Sequence, residues 1–120
     1  MGQEKLTGIR RLVRATGVSF SALKHGFINE EAIRLEILGA IIFCPLGIWV
    51  GNTQVEKILL VSSVLLVLLT ELLNTGIEAV VDRMGSERHE LSGLAKDMGS
   101  AAVLVALGIA LMTWVLVLAG

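Results

Sequence analysis

Aromatic side chains supply only 4% of the 120 residues, although 54% of the chain is hydrophobic. The apolar content therefore lies in Leu, Val, Ile and Ala, arranged in long runs, and the mean hydropathy is +0.79. That is membrane composition rather than a soluble balance. Cysteine is reduced to Cys44 inside an apolar run, which excludes a disulfide framework and makes the residue packing or lipid-facing filler. A basic excess is also missing. The formal net charge is −1, against a nucleic-acid partner. No short apolar core followed by a small-residue cleavage site opens the chain, so no secretory signal peptide is expected. Internal repeats and low-complexity tracts are absent from the sequence. So are the G-x-x-x-x-G-K-[ST] phosphate loop, the G-x-G-x-x-G turn and the protein-kinase motif set. A nucleotide bound here needs an unrelated arrangement.

Three apolar runs are present, over 35–50, 58–73 and 98–118. A spanning helix needs about 20 mostly apolar residues, so the third qualifies outright and the first two need extension. Asn29 suits an N-cap, and Glu30 and Glu31 suit a first helical turn. Pro45 lies inside this first span and is expected to kink it. The second span continues as a helix past the apolar run and ends near Met84 and Gly85. Gly51 with Asn52, and Gly85 with Ser86, read as turns. Upstream, Ile9, Leu12, Val13, Phe20, Leu23 and Phe27 recur at helical spacing among Arg10, Arg11, Arg14 and Lys24. A basic amphipathic segment of this kind lies in the membrane interface, with a break expected at Gly17 and Ser19. The expected fold is one all-α integral membrane domain over 1–120. It has an interfacial helix over 4–28 and transmembrane helices over 30–50, 54–84 (with a cytoplasmic extension) and 91–118.

Lys and Arg set the orientation. The N-terminal flank carries Lys5, Arg10, Arg11, Arg14, Lys24 and Arg34, and the second connection carries Arg83, Arg88 and Lys96. Lys57 alone marks the first connection, and the C-terminal end has none. The N-terminus and second connection are expected in the cytoplasm, and the C-terminus on the far side.

Glu71, Asn74, Glu78 and Asp82 follow at i, i+3, i+7 and i+11. At about 100° per residue they share one face within roughly 80°. Glu71 ends an almost unbroken apolar run, inside the cytoplasmic edge of the hydrocarbon. An ionised acid there costs up to about 3 kcal/mol on insertion scales, so such residues face protein and mark function. Glu78 lies about 10 Å nearer the cytoplasm at 1.5 Å per residue. A lipid hydroxyl can reach the deeper acid, and a water-borne polyphosphate the shallower one. Glu71 is thus expected as a general base, and Glu78 as a divalent-metal ligand.

Glu87, Arg88, His89, Glu90, Ser92, Lys96, Asp97 and Ser100 follow in the second connection and at the mouth of the third span. Phosphoryl transfer needs positive charge on the moving phosphate and a metal across its oxygens. Lys96 can supply the charge. Glu30 reads either as a helix-dipole partner, an i, i+4 partner of Arg34, or a magnesium ligand with Glu78. Three helices leave little room for a site within one copy, so an oligomer is expected. Gly39, Gly76, Gly99, Ala101, Ala102 and Gly108 would allow close helix approach.

Residues 71–83, ELLNTGIEAVVDR, resemble the E-x-x-N-[ST]-x-I-E-x-x-x-D signature of the prokaryotic diacylglycerol kinases. Residues 85–103, GSERHELSGLAKDMGSAAV, and Ile28, Asn29 and Glu30 extend the resemblance over essentially the whole chain. It implies a homotrimer of three-span subunits with sites shared between subunits, phosphorylating diacylglycerol to phosphatidate with MgATP in a bacterial inner membrane. Position by position, it implies Glu71 as catalytic base and Glu30 and Glu78 as Mg2+ ligands. Arg11, Val18, Glu30, Glu78, Glu87, Arg88, His89, Lys96 and Asp97 fall in its nucleotide region. Arg11, Asn74, Asp82 and Ser100 fall among positions supporting the site or lipid. Arg88 and Val18 depart from the pattern, since aromatics are common at both. A sister branch phosphorylates undecaprenol, and the segments 90–93 and 97–100 look more like the diacylglycerol branch. In a different class, a small proton-coupled exporter could use Glu71 as its carrier site. A structural adaptor would give no reason for the polar stripe.

Overall fold

The computed structural model describes residues 7–85 and 89–120. These form four helices: α1 (Gly8–Asn29), α2 (Glu31–Val50), α3 (Gln54–Arg83) and α4 (Glu90–Ala119). Among the described residues, α2, α3 and α4 are long and apolar enough to cross a membrane. Consecutive helices pack on one another, α3 against both α2 and α4.

The amphipathic segment forms one continuous helix, with no break at Gly17 or Ser19. A glycine costs a helix only about 1 kcal/mol, too little to interrupt 22 residues of otherwise consistent periodicity. The break comes instead at Glu30, the one extended residue between α1 and α2. Asn29 is therefore the last residue of α1, not the cap of α2. Its side-chain amide donates to the His25 carbonyl at 2.9 Å.

Arg34 holds this corner. Its Nε donates to the Phe27 carbonyl at 2.8 Å and its guanidinium NH2 to the Ile28 carbonyl at 2.9 Å. Those carbonyls belong to the last turn of α1, which has no intrahelical partners for them. Ile33, fully buried, packs against Gly26, where an added Cβ would lie 2.8 Å from its Cγ2.

Helix α2 runs through Pro45 to Val50. At the opposite end of the bundle, Thr53 caps α3 by accepting from the Glu56 N–H at 3.1 Å. The Glu56 carboxylate in turn accepts from the Asn52 N–H at 3.1 Å, a reciprocal arrangement close to a capping box. Nearby, the Trp114 indole N–H donates to the Ser63 hydroxyl at 3.2 Å, and Ser63 donates to the Leu60 carbonyl at 2.8 Å. Phe43 meets Trp114 edge-on, with ring centroids 5.6 Å apart. This polar-aromatic knot ties all three long helices together.

The buried apolar set is small: Ile33, Leu60, Val67, Val103 and Ala106. Large side chains such as Ile41, Trp49, Leu104 and Leu111 are exposed. A lone subunit in water would leave far more apolar surface than a soluble monomer tolerates. Lipid or further protein must cover it.

Candidate functional site

The polar ridge of α3 changes from half-buried to exposed along its length. Glu71 and Asn74 are half-buried, and Glu78 and Asp82 are exposed. Beside Glu71 stands a residue outside the expected set. Glu36 on α2 is half-buried and close enough to Glu71 for the two negative charges to repel. Glu36 also lines a cavity of about 470 Å³ between the three long helices, with Phe43, Val64, Leu107 and Trp114 among its walls. The available signal was an acid inside an otherwise apolar run.

Asn74 lies one turn beyond Glu71. Its Nδ2 donates to Glu78 Oε1 at 2.9 Å. Its Oδ1 is buried with no hydrogen-bond partner and points at Gly99 of α4. Farther along, Lys96 of α4 meets Asp82 Oδ1 at 2.7 Å, and it lies within electrostatic reach of Glu78. Asn74, Glu78, Asp82 and Lys96 thus form one connected polar patch across the α3–α4 seam. Among the described residues Lys96 with Asp82 is the one ion pair. Arg34 is engaged with carbonyls instead of Glu30.

Other predicted residues lie elsewhere. Asp97 and His89 line a separate hollow of about 530 Å³ together with Glu90, Gly93 and Leu94, and no residue of α3 contributes to it. His89 also caps α4, its Nδ1 accepting from the Leu91 N–H at 3.1 Å. Ser100 is exposed on α4, and Arg11 and Val18 are exposed on α1. Glu30 is exposed at the α1–α2 corner. Glu87 and Arg88 lie outside the described residues. Of the small residues expected at helix contacts, Gly99 packs within the subunit. Gly39, Gly76 and Gly108 have open space where a Cβ would stand.

Among the described residues, no group of three or more His, Cys, Asp or Glu could hold a metal ion. The donors suit magnesium nonetheless, because that ion uses one or two carboxylates and completes its octahedron with phosphate and water. Glu78 keeps a second carboxylate oxygen beyond the one accepting from Asn74, and Glu30 is exposed.

The sequence profile of prokaryotic diacylglycerol kinase matches residues 17–118. The chain belongs to that family. It is 48% identical to the diacylglycerol kinase of Escherichia coli over 112 residues, 93% of this chain and 92% of that one. Against the diacylglycerol kinase of Haemophilus influenzae the identity is 52% over 110 residues, 92% and 93% of the two chains. The Pseudomonas aeruginosa diacylglycerol kinase is 42% identical over 114 residues, 95% and 93% of the two chains. A chain of this family is a membrane enzyme.

Proposed function

We propose that this chain transfers the γ-phosphoryl group of ATP to the hydroxyl of diacylglycerol, giving phosphatidate, at the cytoplasmic face of a bacterial inner membrane. The observation that carries this is the graded ridge of α3 in a chain of this family, half-buried at Glu71 and Asn74 and exposed at Glu78 and Asp82. A lipid hydroxyl reaches the deep end, and a nucleotide the shallow end.

Glu71 takes the proton of the hydroxyl as its oxygen bonds to the γ-phosphorus, and the bond to the β–γ bridging oxygen breaks to release ADP. Glu36, in the cavity beside Glu71, meets the hydroxyl as it enters. Lys96, held by Asp82 in the free protein, turns to the phosphates as the nucleotide arrives. A bound Mg2+ ion would offset the charge on the phosphates. Glu78 and Glu30 are the carboxylates that would hold it. Asn74 supports Glu78 through its amide, and Ser100, Arg11 and Asp82 complete the surroundings. Arg11, Val18, Glu87, Arg88, His89 and Asp97 form the nucleotide side.

One copy leaves this set divided, with Asp97 in a hollow that α3 does not reach, while His89 also borders a hollow shared with Val81 of α3. A homotrimer with sites between subunits supplies the missing neighbour and covers exposed apolar surface. Helix α1, with its apolar residues exposed among arginines, lies in the cytoplasmic interface. The bias of lysines and arginines supports a cytoplasmic second connection and a C-terminus on the far side.

The test is transfer of label from γ-labelled ATP in mixed micelles, comparing diacylglycerol with undecaprenol, with and without magnesium. Magnesium-dependent labelling of diacylglycerol well above undecaprenol is expected. Preferential labelling of undecaprenol would move the chain to the sister activity, and labelling of neither would remove the proposal.

A further inference from the structure

An amide has two ends that look alike in shape and differ in charge. Asn74 must present the right one to Glu78. Its Nδ2 donates to Glu78 Oε1 at 2.9 Å, while its Oδ1 is buried against Gly99 without a conventional donor. The three heavy atoms nearest a Cβ built at Gly99 all belong to Asn74, and the nearest, Oδ1, would overlap it. The hydrogen of Gly99 that occupies the side-chain direction therefore faces Oδ1. A Cα–H facing a carbonyl oxygen is a weak hydrogen bond, common where helices approach closely. Flipping the amide would turn its NH2 toward that C–H and its oxygen toward the Glu78 carboxylate, so both contacts would become repulsive.

We propose that Gly99 is a positioning residue for phosphoryl transfer: its bare Cα fixes the orientation of the Asn74 amide and, through it, the Glu78 carboxylate. This rests on the reading of the α3 ridge as the active site. Gly99 touches no reactant. Its part is to leave room for Oδ1 and to face it with a C–H. No feature local to α3 or α4 in the sequence signals the contact, since it exists only once the two helices pair.

The experiment uses the full chain in detergent micelles, with Gly99→Ala, Asn74→Ala, the double variant, and Ser63→Ala, whose hydrogen bond to Trp114 lies about three turns from Asn74 along α3. Displacing a site group by an ångström costs up to about 100-fold, so Gly99→Ala is expected to lower kcat by about 10- to 100-fold with KM for diacylglycerol little changed. Ser63→Ala should match the parent. In the Asn74→Ala background, adding Gly99→Ala should change kcat by less than about twofold, since coupled residues are not additive. The Asn74 side-chain amide resonances, recorded without nucleotide or magnesium, should move in Gly99→Ala and stay in Ser63→Ala. Unmoved resonances, or a Gly99→Ala cost that persists in full without Asn74, would overturn the proposal. Should Gly99→Ala fail to fold, recovery of folding in the double variant supports the contact, and failure of both overturns it. Full turnover by Asn74→Ala would instead count against the ridge as the active site, whatever the resonances report.

Discussion

Lys96 of α4 and Asp82 of α3 meet at 2.7 Å, on the same seam where Asn74 holds Glu78. Both partners of the pair are largely solvent-exposed, and exposed pairs add little to stability. In the proposed reaction the pair is a parked cation: Asp82 serves as a resident counter-ion for Lys96 until the phosphates displace it. Lys96→Met is expected to lower kcat by about 100-fold, the cost of losing one charge-stabilising group. Asp82→Asn should have the smaller effect. Thermal unfolding of both variants should stay close to that of the parent, and steady-state kinetics would check the order of the two losses.

Glu36 is expected to act on the lipid side. It lines the cavity between the long helices and lies near Glu71, away from the exposed acids. Glu36→Gln should lower kcat/KM for diacylglycerol about tenfold, the scale of one lost hydrogen bond to a charged group, and leave KM for MgATP unchanged. Varying each substrate at saturation of the other separates the two.

The corner at Glu30 depends on Arg34. A guanidinium can reach two carbonyls at once, whereas a lysine ammonium lacks the planar fork. Arg34→Lys should therefore loosen α1 against α2 while leaving the spans intact. Spin labels on α1 and α2 would report a broader distance distribution, and kcat should fall as Glu30 loses its fixed place. An unchanged distribution would show that Ile33 against Gly26 is sufficient to hold the corner.

The knot around Trp114 concerns stability rather than chemistry. Ser63→Ala removes the acceptor of the indole N–H, and side-chain hydrogen bonds within membrane proteins average about 0.6 kcal/mol. Trp114→Ala also removes packing against Phe43, and because Trp114 is half-buried and borders the cavity, the loss is expected to fall below the roughly 3–5 kcal/mol of a fully packed core site. Reversible unfolding in mixed detergent would measure both. The Ser63 variant should retain its turnover.

The spans and the acid ridge were legible because each rests on periodicity along one segment. An apolar run of membrane length and acids spaced by whole turns need no knowledge of neighbours. The helix break was harder. Gly17 and Ser19 have weak helix preference, but the chain bends at Glu30, where the Arg34 fork and the Ile33 contact decide the geometry from the other side of the corner. Glu36 is harder to read because it stands alone in its apolar run, with no stripe of acids to give it a direction. Its significance depends on Glu71 approaching it from α3. The division between Lys96 and Asp97 was equally hidden. Adjacent residues on a helix face about 100° apart, so one meets Asp82 while its neighbour borders a hollow that α3 does not reach. Gly99 could be named in the sequence as a small contact residue, but not as the partner of Asn74.

Glu71→Gln tests the central claim most directly, because it keeps the shape of the side chain and removes its ability to accept the proton. In micelles containing diacylglycerol and MgATP, the variant should fold as the parent does and bind both substrates. Its rate of transferring label to lipid should be lower by a factor of about 10² to 10⁴, the usual contribution of a positioned base. A folded Glu71→Gln protein that labels diacylglycerol at the parent's rate would contradict the account.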